Sequence, residues 1–190
     1  MIENEITRDA TGEELYQRFR CGDEQAYEKL VGIYRESLTK YICRFINDAH
    51  DAEELMIDTF AELAICTKFA GKSSLKTYLF SIGRNIAIKH LKKFNSKKCT
   101  PIGDADDMPI EYDNFPELDF IRKEQGGQLH SAMWKLKQDY REVLHLIYFE
   151  NMSYSDAGTA MGKSVRQITN LTHRAKASLK TLLESEDAGI

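Results

Sequence analysis

The sequence predicts an all-α fold, made of two small helical domains joined by a linker. Apolar residues recur at spacings of three and four along most of the chain, and no segment sustains the two-residue alternation of a β-strand. The 190 residues contain eleven glycines and only three prolines, so long helices can run without interruption. All three prolines fall between positions 99 and 121, which leaves a helical stretch on each side.

The first domain is predicted to span residues 1–95 and to begin with two helices. Leu15 and Phe19 indicate a short opening helix. Gly22-Asp23 then interrupts the pattern, and Asp23 is a suitable N-cap for the next helix. That second helix is predicted to exceed about twenty residues, because its apolar positions repeat along one face. These positions are Tyr27, Leu30, Val31, Tyr34, Leu38, Tyr41, Ile42 and Phe45.

Two further helices complete the first domain. The third is predicted to begin near Asp51, with acidic side chains in its first turn, where the helix dipole favours negative charge. A loop around Gly71 follows, and the fourth helix is predicted from about Ser74 to Phe94. The inner faces are predicted to be Ala52, Leu55, Met56, Thr59, Phe60 and Leu63 in the third helix, and Leu75, Tyr78, Leu79, Ile82 and Ile86 in the fourth.

Residues 96–127 are predicted to form a flexible acidic linker. Between Cys99 and Ile121 the chain has seven acidic residues, all three prolines and no basic residue. A segment of this composition buries little apolar surface, and its like charges repel one another. We therefore expect it to be extended.

The second domain, residues 128–190, is predicted to contain a helix-turn-helix motif. A long helix from about Leu129 to Glu150 comes first. A shorter helix from Ser153 to Met161, a turn at Gly162-Lys163 and a helix from Ser164 to about Leu183 follow. Two helices joined by a tight glycine-containing turn are typical of proteins that place the second helix in the major groove of DNA.

The formal net charge of −4 conceals segments of opposite sign. Residues 63–103 carry nine lysines and arginines and no acidic residue, and residues 157–183 carry five and none. Basic helices attract the phosphate backbone of nucleic acids through the release of condensed counterions. A solvated lysine face would explain either segment alone, but two such segments, one within a helix-turn-helix, favour DNA binding.

Side chains suited to reading DNA bases occur in the last helix. Arg166, Gln167 and Asn170 lie near its amino terminus, where recognition helices contact base edges. Arg174, Lys176 and Lys180 lie farther along and are expected to contact phosphates.

The loop before the fourth helix is predicted to contact single-stranded DNA. Aromatic rings beside cations hold unstacked bases. Tyr78 and Phe80 lie between Lys76 and Arg84 in the sequence. Those rings are more often core residues than base platforms, so the loop offers the better candidates to receive an extruded base. These candidates are Phe69, Lys72 and Ser73.

The sequence contains no pattern that indicates an enzyme, a metal site or a cofactor. Four cysteines occur without Cys-x-x-Cys spacing, and the five histidines are scattered. The amino terminus lacks the basic and apolar start of a secretion signal, and no apolar run approaches the ~20 residues of a membrane span. We therefore expect a protein without a cofactor or membrane insertion that works in the cytoplasm.

Four motifs, in order along the chain, resemble the extracytoplasmic-function (ECF) branch of the sigma-70 family. They are Gly22-Asp23-Glu24-Gln25-Ala26-Tyr27; Asp51-Ala52-Glu53-Glu54-Leu55 with Thr59-Phe60; Ser74-Leu75-Lys76-Thr77-Tyr78-Leu79 with Arg84-Asn85-Ile86-Ala87; and Tyr140-Arg141-Glu142-Val143-Leu144 with Met152-Ser153-Tyr154 and His173-Arg174-Ala175. The resemblance covers about residues 13–95 and 129–183. It implies a region 2 domain and a region 4 domain in a bacterial sigma factor, which binds core RNA polymerase and directs promoter-specific transcription initiation.

The resemblance also implies a role for each surface. The third helix would dock on the clamp of the largest polymerase subunit through Asp51, Glu54, Leu55, Asp58 and Glu62. The loop and fourth helix would recognise and melt the minus-10 promoter element through Phe69, Lys72, Ser73, Lys76, Thr77, Arg84, Asn85, Lys89 and Lys92. The last helix would read the minus-35 element through Ser164, Arg166, Gln167, Asn170, His173, Arg174 and Lys176. The linker would thread toward the active-site channel, and an anti-sigma protein is an expected further partner.

Three departures from the family pattern bear on these roles. Ile57 stands where the family usually has glutamine, and Ala157-Gly158 replaces the usual Ile-Ala pair of the helix-turn-helix. The recognition helix has Thr169-Asn170-Leu171 in place of Lys-x-Arg, so we expect Arg166 and Gln167 to take a larger share of base readout. Two alternatives stay open: a helix-turn-helix regulator that binds duplex DNA without polymerase, and a sigma-like interaction protein that does not initiate transcription.

Overall fold

A computed structural model describes residues 10–46, 48–65, 69–97 and 127–187. Every regular element in these ranges is a helix, which confirms the predicted all-α fold. Residues 98–126, which make up nearly all of the predicted acidic linker, lie outside the described residues, as do Cys66 and Cys99. None of the described helices is long and apolar enough to cross a membrane.

Four helices form an amino-terminal bundle: α1 (Gly12–Arg20), α2 (Glu24–Ile42), α3 (Ala49–Ile65) and α4 (Leu75–Lys97). The predicted cap of α2 is confirmed, because the Asp23 carboxylate accepts a hydrogen bond from the Ala26 backbone N–H at 3.1 Å. Helix α2 ends at Ile42 and is shorter than predicted. The apolar pattern continues to Phe45, which is buried in the turn that follows the helix.

Side chains of α1 and α2 fix the positions of α4 and α3. The Glu13 carboxylate accepts a hydrogen bond at 2.7 Å from the backbone N–H of Leu75, the first residue of α4. This contact satisfies one of the N–H groups that a helix start leaves without an internal partner. The Tyr27 hydroxyl donates to the Phe60 carbonyl of α3 at 2.9 Å, and the two rings meet edge to face. The start of α4 is therefore held from a distant part of the sequence.

The remaining elements form a carboxy-terminal bundle: α5 (Gly127–Lys135), α6 (Gln138–Leu144) with a π-helical turn (His145–Phe149), α7 (Tyr154–Met161) and α8 (Val165–Asp187). The single helix predicted from Leu129 to Glu150 is therefore wrong. The chain breaks at Lys137, which has an extended backbone (φ −56°, ψ 145°). Apolar residues on both sides of the break face the same core, so their spacing did not reveal it.

The predicted helix-turn-helix is confirmed as α7, a turn and α8. Ser153 caps α7 by accepting a hydrogen bond from the Asp156 backbone N–H at 3.1 Å. Gly162 ends α7 in the left-handed region (φ +65°), a conformation that suits glycine. The backbone N–H of Lys163 then donates to the Gly158 carbonyl at 2.8 Å, which closes the turn.

The two bundles pack against each other, and α7 lies along α4. Their buried apolar side chains form one continuous cluster, so the arrangement is compact. The sequence does not predict this packing, because its periodicity describes each helix separately.

Candidate nucleic-acid interface

Helix α8 presents a polar face to solvent. All seven side chains predicted to read the minus-35 element are exposed. The opposite face is fully buried at Ile168 and Ala175, which fixes the rotation of the helix. The recognition helix therefore has an inner side that packs on α7 and an outer side of hydrogen-bonding and basic groups.

Ser164 and Gln167 cap the start of α8, a role that the sequence analysis did not predict. The Gln167 backbone N–H donates to the Ser164 hydroxyl at 3.3 Å, and the Gln167 side-chain oxygen accepts from the Ser164 backbone N–H at 2.8 Å. This reciprocal pair is a capping box, and its Ser-x-x-Gln spacing is visible in the sequence. In this position the Gln167 amide serves the start of α8, which leaves Arg166 as the exposed cation at the amino end of the helix.

Lys176 contacts an exposed ring of the π-helical turn. Its ammonium lies 4.9 Å from the centre of the Tyr148 ring. A hydrogen bond with Tyr148, followed by Coulombic attraction, raises the pKa of Lys176. The lysine is exposed and stays cationic at neutral pH, as a phosphate contact requires.

The exposed part of α4 is basic. Asn85, Lys89 and Lys92 follow one another at spacings of four and three, so they lie on one side of the helix, and all three are exposed. Lys72, in the loop before α4, is also exposed, and Ser73 is half-buried. These predicted minus-10 residues are therefore accessible or partly accessible to a ligand.

Four other predicted minus-10 residues are half-buried or, in the case of Thr77, buried, and each contacts another part of the chain. Half-buried Phe69 packs edge to face on Tyr16, with ring centres 5.5 Å apart. Thr77 is only 1% exposed, and its hydroxyl donates to the carboxylate of Asp156 at 3.2 Å. Thr77 is therefore turned toward the carboxy-terminal bundle.

The two remaining residues, Lys76 and Arg84, form ion pairs with that bundle. The Lys76 ammonium lies 2.8 Å from both the carboxylate and the backbone carbonyl of Glu150. The Arg84 Nε donates to the carboxylate of Glu142 at 2.7 Å. Positive charges that sequence reasoning assigned to DNA are thus neutralised by acidic side chains of the same chain.

Glu142 is the most deeply buried of these acidic groups, at 1% exposure. The same oxygen that meets Arg84 also accepts a hydrogen bond from the Tyr41 hydroxyl at 2.9 Å. Burial raises the pKa of Glu142, while the charge and hydrogen bond of Arg84 oppose the rise. Burial and the neighbouring Glu142 carboxylate raise the pKa of Tyr41, which keeps its hydroxyl protonated as a donor.

A separate acidic surface lies on α3. Glu54, Asp58 and Glu62 are exposed at intervals of four residues, and Asp51 at the amino end is half-buried. Ile57 lies on the same outer side and is 61% exposed, so an apolar side chain stands among the carboxylates.

Leu55 does not belong to this surface. It is 7% exposed and packs in the core of the amino-terminal bundle. Its predicted contact with polymerase stays a prediction, and in this structure Leu55 supports α3 from the core side.

A helical bundle with a basic fourth helix, followed by a helix-turn-helix, defines a two-domain DNA-binding transcription factor. The family description "Sigma-70 region 2" matches residues 30–97, and "Sigma-70, region 4" matches residues 126–179. The chain belongs to the sigma-70 family of RNA polymerase sigma factors, which are transcription initiation factors rather than enzymes.

Several relatives that are similar to this chain are named as ECF RNA polymerase sigma factors. The RNA polymerase sigma-H factor of Pseudomonas aeruginosa is 28% identical over 180 residues, which cover 90% of this chain and 93% of the relative. The ECF RNA polymerase sigma factor SigM of Bacillus subtilis is 27% identical over 155 residues, which cover 82% and 93% of the two chains. These matches favour the sigma-factor interpretation over a DNA-binding regulator that acts without polymerase.

Two solved structures share the fold. CnrH in complex with the cytosolic domain of CnrY aligns with a TM-score of 0.66 at 24% identity, over 90% of this chain and 96% of that chain. The sigma factor RpoE of Bartonella quintana, in complex with the anti-sigma factor NepR, aligns with a TM-score of 0.63 at 24% identity, over 83% and 96%.

Proposed function

We propose that this sigma factor has three separate binding surfaces. Helix α3 binds core polymerase, α4 binds the minus-10 element and α8 binds the minus-35 element. The proposed domains are residues 1–95 for the first two tasks and residues 128–190 for the third, with 96–127 as the linker. The single observation that carries the proposal is the exposed polar face of α8 within a helix-turn-helix. The protein would work in the cytoplasm, at the nucleoid when it is bound to polymerase.

The outer side of α3 suits a basic partner surface with an apolar centre. Three exposed carboxylates at four-residue spacing give a line of negative charge, and Ile57 supplies apolar area within it. Charge complementarity speeds encounter and orients the partner, whereas a buried apolar side chain adds affinity. We assign this surface to the clamp of the largest polymerase subunit.

The basic side of α4 suits the phosphate backbone of the minus-10 region. Asn85, Lys89 and Lys92 lie on one side of the helix, and Lys72 lies near its start. Lysines give affinity without sequence choice, so the bases must be read by other groups. Lys76, Thr77 and Arg84 become candidates for that task only when the carboxy-terminal bundle moves away.

An anti-sigma protein is a proposed further partner. Support comes from the fold that this chain shares with the Bartonella quintana factor, which was solved bound to the anti-sigma factor NepR. Copurification from the native cell tests this directly. We expect core polymerase and one smaller regulatory protein to be recovered with the chain.

Purified chain mixed with core polymerase should support run-off transcription from promoters of its own genome. The control is core polymerase alone, which should give only background transcription. A protein that binds promoter duplexes tightly without polymerase and adds no specific transcript would contradict the proposal. It would favour a conventional helix-turn-helix regulator instead.

Arg166→Ala should weaken recognition of the minus-35 element, because arginine contacts guanine through paired hydrogen bonds. We expect holoenzyme affinity for a cognate promoter to fall by about tenfold, within the ~1–3 kcal/mol typical of one such contact. Affinity for a promoter with a scrambled minus-35 element should change little, and core binding should not change. Lys29→Ala is the control, because Lys29 is an exposed cation on α2, in the other bundle. Equal losses on both promoters would show that Arg166 does not read sequence.

A further inference from the structure

An exposed tyrosine of the π-helical turn contacts a lysine of the recognition helix. Tyr148 lies in that turn and is 49% exposed, and Lys176 is exposed on α8. The Lys176 ammonium lies 4.9 Å from the centre of the Tyr148 ring and makes a hydrogen bond with the same side chain. The contact joins two separate elements, so the spacing of residues along the chain does not predict it.

The chemistry of the two groups fixes the direction of their hydrogen bond. An ammonium has donors and no acceptor, so Lys176 donates to the phenolic oxygen of Tyr148. The ammonium keeps further N–H donors, and the Tyr148 hydroxyl still has its own hydrogen to donate. Both side chains reach solvent, so these donors are accessible to a ligand. One positive charge with O–H and N–H donors beside it suits an oxyanion such as a phosphate.

Lys176 lies to one side of the residues that would read bases. That exposed stripe of α8 has spacings of four and three residues and consists of Arg166, Asn170 and His173. At about 100° per residue, Lys176 lies about 80° to one side of Arg166, and exposed Arg174 lies about 80° to the other side. The stripe therefore has a cation on each flank, and Tyr148 contacts the Lys176 flank. The two strands of a duplex border the major groove in the same way.

The distance along α8 agrees with a contact at the border of the groove. Lys176 follows Arg166 by ten positions, which corresponds to about 15 Å at about 1.5 Å per residue. The major groove of B-form DNA is about 12 Å wide. When the amino end of α8 contacts base edges, the helix has therefore reached the bordering strand by the level of Lys176. The phosphates of that strand are the oxyanions within its reach.

We propose that Tyr148 and Lys176 together form a binding site for one backbone phosphate at the border of the minus-35 element. Lys176 supplies the positive charge, while Tyr148 donates its hydroxyl to the same phosphate and holds the lysine beside it. The proposal rests on the proposed function, since it assumes that α8 enters the major groove. It adds Tyr148, a residue outside the helix-turn-helix, to the DNA-binding surface.

The contact prepares Lys176 for binding before DNA arrives. A lysine side chain has many rotamers, and fixing it on a phosphate costs conformational entropy. The Tyr148 ring and hydroxyl already restrict Lys176 in the free chain, so part of that cost is met before binding. An exposed contact between a cation and a ring adds little to the stability of a fold. Its main consequence is therefore the placement of the ammonium at the edge of α8.

Tyr148→Phe tests the site, because it removes the hydroxyl and keeps the ring beside Lys176. The full chain with core polymerase is bound to promoter duplexes in which one phosphate at a time, in and around the minus-35 element, is replaced by a neutral methylphosphonate. For the wild type, neutralising one linkage should lower the affinity about fivefold, and Lys176→Ala should abolish that loss. Tyr148→Phe should lower the affinity for the unmodified promoter about threefold and reduce the loss at the same linkage.

The salt dependence separates the charge from the hydroxyl. Lys176→Ala should make the slope of log affinity against log salt concentration less steep by about one, because one counterion fewer is released. Tyr148→Phe should leave the slope unchanged, since a neutral hydroxyl releases no counterion. Tyr34→Phe is the matched control for the tyrosine, because Tyr34 is half-buried on α2 in the other bundle. It should behave as the wild type at every linkage.

Two results would overturn the proposal. If Tyr148→Phe keeps the wild-type affinity, Lys176 contacts DNA without Tyr148. If Tyr148→Phe weakens binding but leaves the loss at the Lys176-dependent linkage unchanged, the hydroxyl supports the fold and not that phosphate. A wild-type chain that gives core polymerase no preference for promoter over scrambled DNA would contradict the proposed function itself. Failure of the phosphate site and failure of the sigma-factor assignment are therefore distinguishable.

Discussion

Reversing the charge of Glu54 and Asp58 together, as Glu54→Lys with Asp58→Lys, should lower the affinity for core polymerase at least about tenfold. That factor corresponds to about 1.4 kcal/mol. Both side chains are exposed on the outer side of α3, four residues apart. If they meet basic groups of the clamp, reversal converts two attractions into two repulsions. Competition binding to core polymerase against the wild type measures the effect, and run-off transcription should fall in parallel.

The control for this reversal is Glu24→Lys with Glu28→Lys on α2. It has the same spacing and the same change in net charge, and both residues are exposed. Its affinity for core polymerase should stay within about twofold of the wild type, since only nonspecific attraction changes. Equal losses in the two double variants would mean that total charge, and not the α3 surface, governs binding. No loss in either would show that the docking surface lies elsewhere.

Gly158→Ala should lower the free energy of unfolding by about 2 kcal/mol, although alanine is normally the better helix former. A Cβ atom at position 158 would lie 2.7 Å from the backbone carbonyl oxygen of Lys163. A backbone oxygen cannot change rotamer as a side chain can, so the turn between α7 and α8 must shift to make room for the Cβ atom. Overpacking of this kind costs about 1–3 kcal/mol. The departure from the family pattern at this position therefore has a local reason, which is the close approach of the turn to α7.

Gly32→Ala is the matched control, because it makes the same chemical change within a helix. A Cβ atom at Gly32 would meet nothing within 4 Å. This substitution should therefore stabilise the chain by about 0.5–1 kcal/mol, the usual difference between the two residues. Urea unfolding of both variants should show changes of opposite sign in the free energy of unfolding. Stabilisation by both alanines would show that the turn does not approach Gly158 as closely as the structure has it.

The sequence by itself determined the helices of the amino-terminal bundle, the cap at Asp23 and the helix-turn-helix. Each follows from a repeat of three or four residues or from a local turn signal, and such signals act over a few positions. The polar residues of α8 were predicted from the sequence, and the structure places them opposite the buried Ile168 and Ala175. The family resemblance added the role of each surface, and those site assignments are still predictions.

Only the tertiary structure decided which basic groups of α4 face solvent. Arg84 contacts Glu142, and Tyr41 contacts the same carboxylate from 101 positions away in the sequence. The charge pattern marks α4 as basic, but it carries no information about an acidic partner so distant along the chain. The helix break at Lys137 was not predicted for a related reason, since apolar residues on both sides of it face one core. Local spacing determines which helices form, whereas contacts between distant segments determine which charges remain available to DNA.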